Sequence, residues 1–269
     1  MKSKIIIASV IIVFLSILTI WDNNRIVNTS YAIESDKIRK PLKIIQVSDF
    51  HNSSLGNKIL NAVKKESPDI IAVTGDLIDS SKPDIETSLS LIQNLLEIAP
   101  VYYVTGNHES WLDDYELTKQ QMQDMGVYIL SGMSVEIGNN VTICGIDDPD
   151  FMKEFGADST AIIEEQLKDV EIDTDDYNIL LSHRPEAINE YADKQFDLAL
   201  TGHAHGGQFR IPFIGGLIAP DQGWFPKYDA GSYIKDETMM IVSRGIGNSI
   251  IPVRINNPPE IISVSIIPK

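Results

Sequence analysis

The chain has a single cysteine, Cys144, among 269 residues. One thiol excludes an internal disulfide framework and a thiolate-rich metal cluster. It stands in the apolar run Val141-Thr142-Ile143-Cys144-Gly145-Ile146, which reads as the setting of a buried structural thiol. Positive charge is scarce too: 22 Lys and Arg stand against 38 Asp and Glu, a formal net charge of −16. No basic tract offsets that excess, so a nucleic-acid backbone is not an expected partner. An anionic substrate would also be repelled unless bound cations locally reversed the field, as a two-metal site does. There is no internal repeat and no low-complexity tract. Apolar residues make up 43% and charged residues 22%, ordinary for a globular chain long enough to bury one large core or two small ones.

Histidine is the other scarce residue, with five in the chain. All five stand in or beside short Asp/Asn/Gly motifs whose residue types bind metal ions. His51 lies in Ser48-Asp49-Phe50-His51, and His108 in Gly106-Asn107-His108-Glu109. His183 lies in Ser182-His183-Arg184-Pro185, while His203 and His205 share Gly202-His203-Ala204-His205-Gly206-Gly207. Asp76, in Thr74-Gly75-Asp76-Leu77-Ile78-Asp79, adds one further acid. A lone histidine is usually a packed or solvated residue, but five in such contexts point to imidazole used for chemistry.

The amino terminus reads separately. Lys2 and Lys4 precede an uncharged, mostly apolar run over residues 5–21, seventeen residues long. That reaches the lower edge of a bilayer span and exceeds a usual signal-peptide core. The two lysines place this end in the cytoplasm and send the body outward. Ser30-Tyr31-Ala32 resembles a cleavage site but lies eleven residues beyond the run. The expectation is therefore an uncleaved single-pass anchor (1–21) with the body extracytoplasmic at the cell membrane. Secretion after cleavage is the alternative. No cysteine follows the run and no Arg-Arg pair precedes it, which excludes a lipoprotein and a twin-arginine signal. Residues 22–40 are polar without apolar periodicity and are expected to be a linker, leaving 41–269 as the folded domain.

From residue 42 short apolar runs alternate with amphipathic stretches. Strands are expected at 43–47, 70–73 and 101–104, with helices at 59–65, 85–98 and 115–125. This β-α-β-α-β order implies a mostly parallel sheet with right-handed crossovers. Gly138-Asn139-Asn140 between two alternating runs signals a hairpin. A helix at 161–167 and strands at 177–181, 198–200, 239–242 and 261–266 follow, so two sheets between helices fit best. Residues 206–232 are rich in Gly and Pro with little periodicity, and loops that long are usually functional or mobile. Phe213, Trp224 and Phe225 within it are expected to form a local packing cluster, with contact to a lipid or sugar as the alternative.

Each histidine motif, and the Asp76 motif, falls just after an expected strand. The carboxyl ends of parallel strands form one rim, so residues distant in sequence converge there. Gly75, Gly106 and Gly202 would permit the tight turns that aim side chains inward. The order Asp-x-His, Gly-Asp, Gly-Asn-His-Glu, His, Gly-His-x-His resembles the calcineurin-like metallophosphoesterases over residues 42–269. Two further runs, His203-Ala204-His205-Gly206-Gly207-Gln208 and Ser243-Arg244-Gly245-Ile246-Gly247-Asn248, are similar to a bacterial membrane-associated or exported branch of that family. The resemblance implies a four-layer αββα sandwich, an α/β fold.

It also implies roles. Asp49, His51 and His205 would hold one divalent transition-metal ion, and Asn107, His183 and His203 a second, with Asp76 bridging both. A sulfur-free N/O set suits Mn²⁺ first, with Fe or Zn²⁺ as alternatives, rather than a Ca²⁺ cage. His108 matches the histidine that serves the leaving group. Asp79 either orients His108 or is a solvated turn acid. Arg244 either contacts the substrate phosphate or forms a structural ion pair. The implied activity is metal-dependent hydrolysis of a phosphoester, mono- or diester or a pyrophosphate, on lipid-linked or cell-wall substrates. Ser80-Ser81 after Asp79 departs from the Arg-Gly of phosphoprotein phosphatases and makes a phosphoprotein substrate less expected. The rival classes are a metal-binding sensor without catalysis and a nuclease of the same family. The first would lose His108, and the second lacks a basic track here.

Overall fold

The computed structural model describes residues 9, 13, 16–152, 157–248 and 252–269. In chain order the main elements are β1 (Val27–Ser35), β2 (Leu42–Val47), α1 (Gly56–Glu66), β3 (Ile70–Thr74), α2 (Ile85–Leu96) and β4 (Val101–Val104). Then come α3 (Asn107–Ser110), α4 (Tyr115–Met125), β5 (Tyr128–Ile129), β6 (Met133–Glu136), β7 (Val141–Gly145) and α5 (Ser159–Asp169). They are followed by β8 (Tyr177–Leu181), α6 (Ile188–Asp193) and β9 (Leu198–Thr201). Four two-residue strands, β10–β13, lie between Arg210 and Trp224, and β14 (Gly231–Lys235), β15 (Thr238–Val242) and β16 (Glu260–Pro268) complete the chain.

Two six-stranded sheets result, ordered β1-β16-β2-β3-β4-β5 and β14-β15-β9-β8-β7-β6. Their central strands are apolar on both faces, which is why they read as continuous hydrophobic runs. Ile45, Val47, Ile71 and Val73 turn outward onto Ile59 and Val63 of α1 and Leu91, Ile92 and Leu95 of α2. The alternate residues, Ile44, Ala72 and Val104, turn inward onto Ile143, Ile179 and Leu200 of the second sheet. That sheet's outer face, with Cys144, Leu180 and Ala199, packs on Ile163 and Leu167 of α5 and on Ile188 and Tyr191 of α6. The layers are helix, sheet, sheet, helix. Asp84 caps α2 by accepting from Thr87 N at 3.0 Å, and Asp114 caps α4 by accepting from Leu117 N at 3.3 Å. The expected hairpin forms, with Val135 opposite Ile143.

Residues 22–40 are not a bare linker. Nine of them form β1, which pairs in parallel with β16 from Val27 opposite Glu260 to Ser35 opposite Pro268. Val27, Thr29, Tyr31 and Ile33 give a period-2 face that is half-buried, while Asn28, Ser30, Ala32 and Glu34 are exposed. Ser30-Tyr31-Ala32 is therefore the middle of a strand. Of the apolar run over 5–21, residues 9, 13 and 16–21 are described and helical, and the helix continues to residue 23; the rest of the run lies outside the described residues. Among the described residues no helix is long and apolar enough to cross a membrane.

Candidate metal centre

Five loops leave the carboxyl ends of parallel strands and meet at one rim. Asp49 and His51 follow β2, Asp76 and Asp79 follow β3, and Asn107 and His108 open α3 after β4. His183 follows β8, and His203 and His205 follow β9. Asp49, His51, Asp76, His203 and His205 all have positive φ, between 46° and 66°. Each such residue costs about 1–3 kcal/mol, strain that persists only where the surroundings fix it, and it concentrates at functional sites. Backbone bonds between the loops do the fixing: Asp49 N donates to Gly75 O at 3.0 Å and His51 N to Asp76 O at 3.0 Å. The glycines play two parts. Gly75 takes φ +82°, whereas Gly106 and Gly202 have no left-handed φ and matter because Asp76 and Asp49 occupy the space of any Cβ there.

The side chains cluster in two groups that share one member. Asp49, His51, Asp76 and His205 bring one ligand atom each within 4.8 Å of one another, and Asp76, His183 and His203 do the same. Asp76 Oδ2 lies 3.4 Å from His51 Nε2 and 3.2 Å from His183 Nε2. His205 Nε2 is 3.3 Å from Asp49 Oδ1 and 3.3 Å from His51 Nε2. Asn107 lines the same cleft, and its Oδ1 is buried without a hydrogen-bond partner. His183 Nδ1 donates to Thr74 O at 2.8 Å, which fixes a ring proton there and turns Nε2 to the Asp76 carboxylate. Ring nitrogens and carboxylate oxygens gathered this closely, with an orphaned amide oxygen beside them, form a donor set that fits divalent cations.

Electrostatics agree. Burial works against ionising Asp76, but His183 and His51 outweigh it and hold its carboxyl well below the usual range. Burial likewise opposes charge on His183, yet Asp76, then Asp49 and Asp148, push it up to about 10. His51 and His205 are held below their ordinary value by burial, His205 also by its neighbours His51 and Arg254. The cluster attracts positive charge at its shared carboxylate and keeps two rings neutral for ligation.

The cleft over these groups has a volume of about 730 Å³ and is lined by His51, Asn107, His108, Trp111, Arg184 and Asp221, among others. Of the two readings of Asp79, the structure favours the turn acid. Its Oδ1 accepts from Ser81 N at 2.9 Å and Ser81 Oγ at 2.7 Å and stays 3.7 Å from His108 Nδ1. Ser80 makes the direct contacts instead: its backbone N donates to His108 Nδ1 at 3.1 Å, with its Oγ at 3.0 Å. Arg244 does not reach the cleft. It pairs with Glu260 Oε2 at 2.5 Å and lines a separate shallow recess beside Thr29 and Tyr31, as the ion-pair reading has it.

Three buried side chains that hold the site carry no sequence signal of that role. Arg184, 1% exposed, donates from Nε and Nη2 to both oxygens of Asp148 at 2.6 and 2.8 Å. Its Nη1 meets Asp221 and stands 3.1 Å from His203 Nε2. Arg254, fully buried, donates to the carbonyls of Gly247 and Arg244 and lies 3.3 Å from His205 Nδ1. Glu109 accepts from the amides of Gly106, Asp76 and Ile78 at 2.7, 2.9 and 3.1 Å, bracing the Asp76 loop against the Asn107 loop. Burial and the charge of Asp76 push its carboxyl up to about 8 against those three donors. Glu109 and Arg184 each stand next to a motif histidine, yet that position does not show what they brace. The closest acidic partners of Arg184, Asp148 and Asp221, lie 36 and 37 residues away, beyond any local pattern.

The model of the calcineurin-like phosphoesterase family matches residues 42–207. A protein of Aquifex aeolicus described as an uncharacterized metallophosphoesterase is 32% identical over 248 residues, spanning 88% of this chain and 90% of the relative. A Danio rerio relative, described as a transmembrane protein with metallophosphoesterase domain, is 26% identical over 83% of this chain and 52% of its own. Among solved structures, a Thermus thermophilus protein shares the fold with a TM-score of 0.52 at 13% identity, covering 76% of this chain and 90% of that one. With the family model spanning more than half of the sequence and the Aquifex relative nearly all of it, this chain belongs to the calcineurin-like phosphoesterase family.

Proposed function

We propose that the protein hydrolyses phosphoesters with two divalent transition-metal ions, Mn²⁺ in the first place. Asp49, His51 and His205 would hold one ion and Asn107, His183 and His203 the other, with Asp76, whose Oδ2 faces both His51 and His183, shared between them. Bound ions of this kind supply Lewis acidity, activating water and offsetting phosphoryl charge. The chain's own residues do the rest. Thr74 O fixes the tautomer of His183, Arg254 steadies His205, and Glu109 keeps the two central loops in register. His108 stabilises the charge of the departing oxygen, because the Ser80 amide occupies Nδ1 and leaves the proton of the neutral ring on Nε2, free to donate a hydrogen bond. A ring so oriented in the cleft favours catalysis over a sensor, and a net charge of −16 gives no support to a nuclease.

The membership of Asp76 in both ligand groups carries this reading. Asp76→Ala should lose the bridge, most bound metal and most turnover. Wild-type turnover with unchanged metal content in that variant would overturn the assignment.

The body is held at the outer face of the cell membrane by the apolar run over 5–21. Two lysines before the run support that orientation, and the transmembrane label of the Danio rerio relative supports an anchor. The place of Ala32 inside β1 supports retention, since cleavage there would cut a strand paired over nine residues. The substrate is then a phosphoester or pyrophosphate of a lipid-linked or cell-wall compound.

A further inference from the structure

Residues 206–232 carry side chains that the catalytic site does not use. Phe213, Ile214, Trp224 and Phe225 do not form a packing cluster: their relative exposures are 109%, 66%, 68% and 60%. A folded chain normally spends large apolar side chains on its core, and a contiguous exposed set marks a surface for another phase or molecule. The exposure follows from the local fold. Phe213 and Ile214 cap the turn between β10 (Arg210–Ile211) and β11 (Gly215–Gly216), and Trp224 lies on β13 (Gly223–Trp224) opposite Ile218 of β12 (Ile218–Ala219).

These tips are joined to the end of the amino-terminal helix by a continuous ladder of bonds. Asn23 Nδ2 donates to Thr19 O at 2.7 Å and to Arg254 O at 2.7 Å, while Arg254 N donates to Asn23 Oδ1 at 2.9 Å. The next residue, exposed Ile255, bridges in parallel to Phe209, and Arg210 N donates to its carbonyl at 3.0 Å. Leu217 N then donates to Phe209 O and Phe225 N to Leu217 O, both at 2.8 Å. The loop is thus tied to the end of the helix, on which Ile17, Ile20 and Trp21 are also exposed.

Charge sorts the partners. Residues 209–228 contain one acid, Asp221, in a chain with 38, and that acid is engaged by Arg184 and His203 in the catalytic cleft. Arg210, which pairs with Asp229 at 2.9 Å, and Lys227 are the segment's bases, and Arg25, paired with Asp22 at 3.0 Å, stacks over Trp21 at 4.2 Å. Amphipathic aromatic tips with Lys227 beside them and Asp221 as the one acid within the loop suit the headgroup boundary of a bilayer.

We propose that the loop over residues 209–228, with Ile255 and the end of the amino-terminal helix, is a bilayer-docking face that sets the catalytic cleft against the lipid surface. Pro220 and Asp221 of this loop line the cleft itself, so docking places its mouth beside the headgroups, where a lipid-borne phosphoester is presented. The proposal rests on the membrane reading above for its partner, and not on the assignment of the metals.

Two reporters separate the two readings. The full chain carries Trp21, Trp111 and Trp224 only. Trp21→Phe/Trp111→Phe leaves Trp224 as the sole reporter, and Trp111→Phe/Trp224→Phe leaves Trp21. Each is reconstituted into phosphatidylcholine vesicles with and without brominated acyl chains. Docking requires Trp224 emission to shift to the blue and to be quenched by the brominated lipid. Adding Phe213→Asp and Ile214→Asp, at positions that pack on nothing, should abolish that quenching and spare the Trp21 signal. Quenching of Trp21 alone would overturn the docking face and leave the anchor standing. Quenching of neither would remove both. A Trp224 shift that grows with protein concentration in lipid-free detergent would assign the face to a second copy of the chain and overturn the proposal.

Discussion

His108 is the one histidine outside both ligand groups that share Asp76. The Ser80 amide donates to its Nδ1, so the neutral ring keeps its proton on Nε2, where it can donate a hydrogen bond to the departing oxygen. His108→Ala should therefore retain both ions and slow turnover by about 10²–10⁴, the range of a positioned general acid. The loss should be smaller for a nitrophenyl ester, whose leaving group is a weak base, than for an alkyl ester. Equal losses on the two would mark a positioning role, and a lost ion would make His108 a ligand. Cys144 tests the packing at the same scale. Burial pushes its thiol up to about 11, so a maleimide should leave it unmodified in the native protein and label it on denaturation. Native-state labelling would contradict the packing of the second sheet on α5 and α6. At this scale the sequence was most legible where residue type and chemistry coincide: every histidine motif, and Asp76, reached the rim. It was least legible where a contact depends on distant geometry. The choice of Ser80 over Asp79, the pairing of Arg244 with Glu260 and the bracing by Arg184 and Arg254 are set by tertiary approach, which no local motif encodes.

Among the elements, periodicity exposed those that are apolar on one helix face or on both strand faces. Tyr115–Met125 and Tyr177–Leu181 fall where the pattern places them, because burial imposes the pattern on each residue in turn. β1 escaped because an edge strand needs only one apolar face, and its exposed Asn28, Ser30 and Glu34 made the stretch look like a polar linker. The turns were legible through glycine, though for two reasons rather than one. Gly202 is pressed against Ser48 and Asp49 without a left-handed φ, so its need is for space. Gly202→Ala should displace the Asp49 carboxylate and lower metal content while the chain still folds, read by elemental analysis beside a melting curve. Unchanged metal content would show that the Asp49 loop can yield without losing its ligand.

In the molecule as a whole, the two sheets exist to bring two sets of strand ends to one rim. Asp49, Asp76 and Asn107 come from the first sheet and His183, His203 and His205 from the second, so neither sheet alone assembles the ligand groups. Gln46 ties the two beneath the site, donating from its amide to Thr74 Oγ1 at 2.9 Å and to Thr201 O at 2.8 Å. This convergence explains how an acidic chain can act on an anion: ions bound at the shared carboxylate reverse the local field. It also makes stoichiometry the sharpest test. Protein stripped by a chelator should be inactive, and turnover of a nitrophenyl phosphoester should rise with added Mn²⁺ and level off at two equivalents per chain. A plateau at one equivalent, or turnover that survives stripping, would contradict a two-ion site bridged by Asp76.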